Sequence, residues 1–151
     1  MNDIQTLLKP NESGYITNWL VCGAKEESYS TEYFNPNQLE FEKKLREVIA
    51  DENLKGVPTN IRLGETGLDD FRWEYYQAGN NWFVDFSKFY FLLTKVELYA
   101  STVICVPCAR KVAMRLWTFA AVEVWVNGKK QAEVKEPVYK PIKYIDMEME
   151  L

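Results

Sequence analysis

A short alternating segment late in the chain constrains the fold more than any other. Residues 122–126 read Val-Glu-Val-Trp-Val, which is the two-residue period of a half-buried strand. Asn127 and Gly128 follow, and this pair best tolerates the positive φ angles of a type I′ turn. The segment therefore predicts a β-hairpin with a two-residue turn. A hairpin among many short strands is typical of a β-sandwich.

Composition limits the classes of function open to the chain. Its 151 residues are 47% hydrophobic and 15% aromatic, which is enough for a sizeable core. A net charge of −4 gives no basic surface for nucleic acid or anionic membrane, so neither is expected as a partner. Histidine is absent, which excludes serine–histidine and cysteine–histidine nucleophile pairs and imidazole zinc sites. We therefore expect no cofactor, no metal and no catalytic residues.

The three cysteines predict buried or loop thiols. Their number is odd, and no secretory signal begins the chain, which argues against a disulfide framework. Cys105-Val-Pro-Cys108 has the spacing of a redox motif or of half a zinc site. A zinc site would need two more ligands, and Cys22 is the one remaining thiol. A thioredoxin-type motif opens a helix after a strand, whereas Pro107 indicates a turn between two strands.

Further segments predict short strands spaced about ten residues apart. These segments are residues 16–23, 72–76, 82–86, 95–106, 111–119 and 145–151. In residues 111–119 the apolar residues Val112, Met114 and Leu116 share one face. In the last segment Ile145, Met147, Met149 and Leu151 are expected to point inward. One amphipathic helix is predicted at residues 36–50, beginning with an Asn-Pro cap.

The order of these segments resembles the N-terminal β-sandwich modules of large bacterial glycoside hydrolases, which have a galactose-binding-domain-like jelly-roll fold. The pieces that carry the resemblance are Ile-Thr-Asn-Trp-Leu-Val-Cys-Gly at 16–23, Gly-Glu at 64–65, Trp-Phe-Val-Asp-Phe-Ser at 82–87, Tyr-Ala-Ser-Thr-Val at 99–103 and Val-Trp-Val-Asn-Gly-Lys at 124–129. Such modules usually place small and acidic residues before the hairpin, whereas Phe-Ala-Ala stands at 119–121. Ligand or ion contacts by those acids are therefore not carried over.

The resemblance implies a mainly β jelly-roll sandwich over residues 15–151, with one inserted helix, after a lead-in at residues 1–14. Because the family's final strand is missing, we expect a fragment of a longer protein. The implied function is a non-catalytic module of a carbohydrate-active protein that packs beside the catalytic domain of the same polypeptide, with glycan as a second candidate partner. The alternative is a stand-alone lectin-like protein. Without a signal peptide or an apolar span, a cytoplasmic location is expected.

The candidate ligand-binding residues are Trp73, Tyr75, Tyr76, Asn81 and Trp82. Sugars stack their C–H faces on aromatic rings while amides bond their hydroxyls, and this cluster offers both chemistries. The alternative is an ordinary core, because in one strand Trp73 and Tyr75 would share a face opposite Tyr76.

Two further groups of residues have simpler interpretations. Glu65, Asp69 and Asp70 are expected to lie in a solvated loop rather than to act as a catalytic carboxylate pair or a calcium site. The apolar run at residues 89–93 is either core or a patch that packs on a partner domain.

Overall fold

The computed structural model describes residues 10–28, 58, 61–86, 88–90, 94–135 and 142–151. Within these ranges the regular structure is antiparallel β-sheet and contains no helix, which confirms a mainly β protein. The strands are β1 (Asn18–Ser28), β2 (Thr66–Leu68), β3 (Phe71–Arg72), β4 (Glu74–Gln77), β5 (Thr94–Ser101), β6 (Lys111–Thr118), β7 (Val122–Val126), β8 (Lys129–Val134) and β9 (Lys143–Glu150). The predicted helix at residues 36–50 lies outside the described residues.

The chain forms two compact units. The first contains Met1–Thr31 and Pro58–Cys105, and the second contains Glu32–Val57 and Val106–Leu151. Strands β1 to β5 belong to the first unit, and β6 to β9 belong to the second. The jelly-roll sandwich over residues 15–151 stays a prediction.

A three-stranded sheet in the order β4-β1-β5 organises the first unit. Strand β1 is central, and it pairs antiparallel with both neighbours. Leu20 lies opposite Tyr75 of β4 on one side and Ser101 of β5 on the other. The pairing of β1 with β4 brings residues 74–77 beside residues 18–21, and this fixes the position of the candidate site.

The core of the first unit lies between β1 and the short hairpin formed by β2 and β3. Cys22, Leu68 and Trp73 are buried there. The Cys22 sulfur accepts a hydrogen bond from the Leu68 N–H at 3.1 Å, and its S–H donates to the Phe71 carbonyl oxygen at 3.4 Å. The thiol therefore holds the hairpin to the sheet and is structural, as expected for a buried cysteine.

The second unit confirms the prediction made from the alternating C-terminal segment. β6 and β9 pair without a register shift from Lys111 opposite Glu150 to Thr118 opposite Lys143. Met147 and Met149 are buried and Ile145 is half-buried, while the residues between them are exposed. Val112, Met114 and Leu116 of β6 lie directly opposite Met149, Met147 and Ile145, and all three are half-buried.

The hairpin of β7 and β8 also has the predicted turn. Val126 pairs with Lys129, so that Asn127 and Gly128 form a two-residue connection. Their φ angles are 50° and 76°, both positive as a type I′ turn requires. The register shifts between Val124 and Trp125, which adds a bulge that the sequence pattern did not indicate.

Two local predictions were wrong. Residues 82–86 form no strand, because Trp82 has a φ of 59° and closes a turn, its N–H donating to the Gly79 carbonyl oxygen at 2.9 Å. The sequence predicts no strand between residues 23 and 72, whereas the segment before Trp73 contains β2 and β3. These strands are only three and two residues long, too short for a two-residue period to be recognised.

Candidate functional site

The five candidate residues lie in the first unit, on β4 and on the segments beside it, but their surroundings differ. Trp73 precedes β4 and is 1% exposed. Its backbone N–H donates to the Glu65 carbonyl oxygen at 2.9 Å, and its backbone carbonyl oxygen accepts from the Gly64 N–H at 2.8 Å. Trp73 therefore belongs to the core of the first unit. Its indole ring has no surface on which a ligand could stack.

Tyr75 lies on β4 and is 52% exposed. Its hydroxyl donates to the side-chain oxygen of Asn18, which lies on the adjacent strand β1. This bond orients the ring while leaving it open to solvent. Trp73 and Tyr75 differ sharply in exposure, because Trp73 is buried in the core of the first unit and Tyr75 is not.

Tyr76 holds the segment that follows β4. Its hydroxyl accepts a hydrogen bond from the Asp85 N–H at 3.1 Å and lies 3.3 Å from the Phe83 carbonyl oxygen. Its ring contacts that of Phe86 with centroids 5.4 Å apart. Tyr76 is half-buried, and its hydroxyl is occupied by backbone groups. Its contacts therefore position residues 83–86 against β4.

Asn81 and Trp82 form the exposed end of the site. The Asn81 side-chain oxygen accepts from the Phe83 N–H at 3.2 Å, so the amide nitrogen of the same side chain is directed away from that bond. Trp82 is 45% exposed, and one face of its ring stacks on Tyr15 with centroids 4.2 Å apart and an angle of 13°. A φ of 59° is rare for an aromatic residue and costs about 1–3 kcal/mol, which the surrounding contacts must offset.

Tyr15 is a site residue that the sequence did not indicate. Asn11 fixes its backbone, because the Asn11 side-chain oxygen accepts from the Tyr15 N–H at 2.9 Å and the Asn11 N–H donates to the Tyr15 carbonyl oxygen at 2.8 Å. Nothing in the local pattern around Tyr15 signals a contact with Trp82, which is distant in sequence. The two rings meet because β1, which follows Tyr15, pairs with β4, which precedes Trp82.

Two acidic residues of the first unit, Asp69 and Glu65, lie close to basic side chains. Asp69 pairs with Lys25, and the hydrogen bond and charge of this carboxylate raise the pKa of Lys25. Glu65 lies 3.9 Å from the Arg62 guanidinium. Across the described ranges, no cluster of three or more acidic, thiol or imidazole side chains is placed to hold a metal ion.

A second aromatic surface lies on the exposed face of β6 and β9, in the second unit. Trp117 and Tyr144 are directly opposite each other, and Arg115 is opposite Asp146. The Arg115 guanidinium makes two hydrogen bonds to the Asp146 carboxylate, at 2.6 and 2.8 Å, and lies 4.5 Å from the Tyr144 ring centroid. The guanidinium thus covers part of the Tyr144 ring, and the group is typical of a solvated sheet face with complementary cross-strand pairs.

The apolar run at residues 89–93 is described only in part. Phe89 is 81% exposed, and the Tyr90 hydroxyl lies 3.4 Å from the Glu26 carboxylate. Residues 91–93 lie outside the described residues, so the choice between core and partner-facing patch stays open for them.

Comparison with known proteins found no matching family model, no similar curated protein and no similar solved structure. Among the residues that the structure describes, no helix is long and apolar enough to cross a membrane. The function is therefore argued from the geometry of the chain's own residues.

Proposed function

We propose that this chain is a non-catalytic β-sandwich module, of the galactose-binding jelly-roll type, belonging to a larger carbohydrate-active protein. It contacts glycan through Tyr75, Asn81 and Trp82. The observation that supports the proposal most is the exposure of the Tyr75 and Trp82 rings, together with the exposed side-chain amide of Asn81, which precedes Trp82 in the chain. Flat apolar ring faces and a nearby amide are the groups that bind the two chemically different sides of a pyranose.

The rings of this site are held in place before any ligand arrives. Trp82 is fixed by its turn and by the stack on Tyr15, and Tyr75 is fixed by its bond to Asn18. A rigid ring loses little conformational entropy when a ligand stacks on it, which raises affinity for a given contact area. The strained backbone of Trp82 supports the proposal, because such strain tends to persist where function requires a side chain in one position.

The five candidate residues then have different roles. Tyr75, Asn81 and Trp82 contact the sugar, with Tyr15 as the support of the Trp82 ring. Trp73 and Tyr76 are positioning residues, since the first is buried and the second is bonded to the backbone of residues 83 and 85. Stacking contributes about 1 kcal/mol per ring, so two rings alone give a Kd of roughly tens of millimolar, and hydrogen bonds to the amide bring monosaccharide binding towards the millimolar range.

A titration followed by amide and indole NMR tests the proposal. Galactose, rhamnose and oligosaccharides are added in turn, and shifts are expected for the Trp82 indole and for the amides of residues 75–82. Trp82→Ala should abolish the shifts. Trp125→Ala is the matched control, because Trp125 is an equally exposed tryptophan on β7 and lies outside the site. Shifts confined to another surface, or no shift with any sugar, would overturn the proposal.

The absence of catalysis is tested separately with the isolated chain and aryl glycosides. The motive is the lack of histidine together with the engagement of Asp69 and Glu65 by basic side chains. No turnover is expected. Activity that persists through repurification and is lost on substitution of Glu65 or Asp69 would contradict the non-catalytic assignment.

A further inference from the structure

Two of the three thiols form a solvent-accessible pair. Cys105 and Cys108 are both exposed and free, whereas Cys22 is buried in the core of the first unit. Val106 and Pro107 separate the two exposed cysteines, so both thiols lie on one short stretch of chain that follows β5 and precedes β6. Two accessible thiols at this spacing have the chemistry for intramolecular disulfide formation, and the glycan site proposed above does not use them.

The segment that carries the thiols is fixed at its ends and irregular between them. At one end the Thr102 hydroxyl donates to the Asn18 carbonyl oxygen at 3.1 Å. At the other end Arg110 and Leu151 exchange backbone hydrogen bonds at 2.9 and 3.0 Å, which continues the ladder of β6 and β9. Residues 102–109 belong to no strand, so a change in their dihedral angles breaks no strand pairing.

The backbone bends within the four residues that a disulfide would close into a ring. A disulfide needs α-carbons about 4.4–6.8 Å apart, and a four-residue turn brings its first and last α-carbons to within about 7 Å. The chain bends at Pro107 and Cys108.

We propose that Cys105 and Cys108 form a reversible disulfide, which makes the irregular segment between β5 and β6 a redox-modification site. One thiolate attacks a low-molecular-weight disulfide such as oxidised glutathione, forms a mixed disulfide and releases one small thiol. The second protein thiolate then attacks the protein sulfur of that mixed disulfide and releases the other small thiol. The protein loses two protons and two electrons, and the small disulfide is reduced by the same two electrons to two thiols.

Two features favour disulfide formation by this pair over zinc binding and over oxidation of Cys22. A closed zinc site needs four ligands, and within the described ranges no third cysteine, acidic or imidazole side chain joins these two. Selectivity over the remaining thiol follows from burial: Cys22 is inaccessible, and its sulfur is hydrogen-bonded to Leu68 and Phe71. Oxidant therefore reaches the exposed pair while the core thiol stays reduced.

Thiol trapping and mass spectrometry test the proposal with the full chain. The protein is equilibrated in a series of glutathione redox buffers, trapped with an alkylating agent and digested with trypsin. Residues 96–110 then form one peptide that contains both exposed cysteines, and Cys22 lies in a different peptide, which serves as the internal control. We expect the 96–110 peptide to become lighter by two hydrogen atoms and lose both alkylation sites as the buffer becomes more oxidising, and to recover on reduction.

Single variants separate an internal disulfide from general thiol oxidation. Cys105→Ser and Cys108→Ser should each lose the internal disulfide completely and instead carry one glutathione adduct on the remaining thiol. Both positions are exposed, so circular dichroism should show unchanged folding. Glutathione on both thiols of the unaltered chain, cross-linked dimers without an internal bridge, or oxidation of Cys22 in parallel with the pair would overturn the proposal.

Discussion

Gly67 and Trp73 approach so closely that no side chain fits between them. A β-carbon at position 67 would lie 2.5 Å from the indole nitrogen of Trp73 and 2.8 Å from the sulfur of Cys22. Real β-carbons do not approach other atoms to within 3.0 Å, and both neighbours are fully buried. The indole therefore packs directly on the backbone of β2, and the core of the first unit depends on a glycine at this position.

Gly67→Ala is expected to destabilise the chain by about 1–3 kcal/mol, because the buried indole must shift to admit the methyl group. Urea unfolding followed by tryptophan fluorescence measures the change. Gly79→Ala is the matched control, since a β-carbon there meets nothing closer than the Asn81 side-chain oxygen at 4.0 Å. Equal unfolding midpoints for the two variants would contradict the close contact between Gly67 and Trp73.

The turn of the β7–β8 hairpin gives a second prediction. Gly128 has a φ of 76°, a conformation that a β-branched residue resists. Gly128→Val should therefore cost at least about 1 kcal/mol in the free energy of unfolding, measured by urea denaturation. Space is not the cause, because a β-carbon at this position meets no atom within 4 Å.

The control for this variant separates backbone strain from the loss of glycine itself. Gly79→Val places the same side chain at a glycine without a positive φ. Its effect on the free energy of unfolding should be clearly smaller. A Gly128→Val variant as stable as the unaltered chain would show that the turn does not need positive φ at this position.

The third prediction concerns the buried face of β9. Met147 is 7% exposed and lies opposite Met114. Met147→Asp should destabilise the chain by about 3 kcal/mol or more, because it places a carboxylate without a partner in an apolar environment. Thermal unfolding measures the effect, and Glu148→Asp on the exposed face of the same strand is the control. Similar losses in both variants would show that Met147 does not face the core.

Alternation of apolar and polar residues predicted the strands that have one buried and one exposed face. The pattern of β9 sufficed to identify its inward methionines, and Asn127-Gly128 sufficed to identify a turn, because both depend on neighbours in the sequence. The short strands β2 and β3 gave no such signal. Their hairpin is held by contacts to Cys22 from outside the segment.

The candidate site was predictable in composition but not in geometry. The cluster of aromatic and amide residues is visible in the sequence, whereas the burial of Trp73 depends on its packing against Cys22 and Leu68, which lie elsewhere in the sequence. The stack of Trp82 on Tyr15 depends on the pairing of β1 with β4, which no local pattern encodes. The left-handed backbone at Trp82 likewise comes from tertiary contacts, because the intrinsic preference of tryptophan opposes it.

The fourth prediction uses the ion pair between Arg115 and Asp146. Hydrogen bonds and the charge of the guanidinium hold the pKa of Asp146 below its ordinary value of 3.8. A carboxyl group whose pKa is lowered on folding stabilises the folded state above its ordinary pKa, and this contribution is lost as pH falls through the lowered value. Asp146→Asn should therefore be less stable than the unaltered chain at neutral pH, and the difference should shrink below about pH 4. Because both side chains are exposed, the difference is small and weakens further with added salt.

Urea unfolding at a series of pH values measures this difference, and NMR titration of the Asp146 carboxyl carbon measures the pKa itself. Arg115→Gln should raise that pKa towards the ordinary value by removing the guanidinium. In the Arg115→Gln background, Asp146→Asn should no longer produce a pH-dependent loss, since the pair is already broken. The contact of Arg115 with the Tyr144 ring cancels in this comparison, because both proteins with Arg115 keep it and both proteins with Arg115→Gln lack it. An Asp146 pKa that does not change on substitution of Arg115 would contradict the two hydrogen bonds between these side chains.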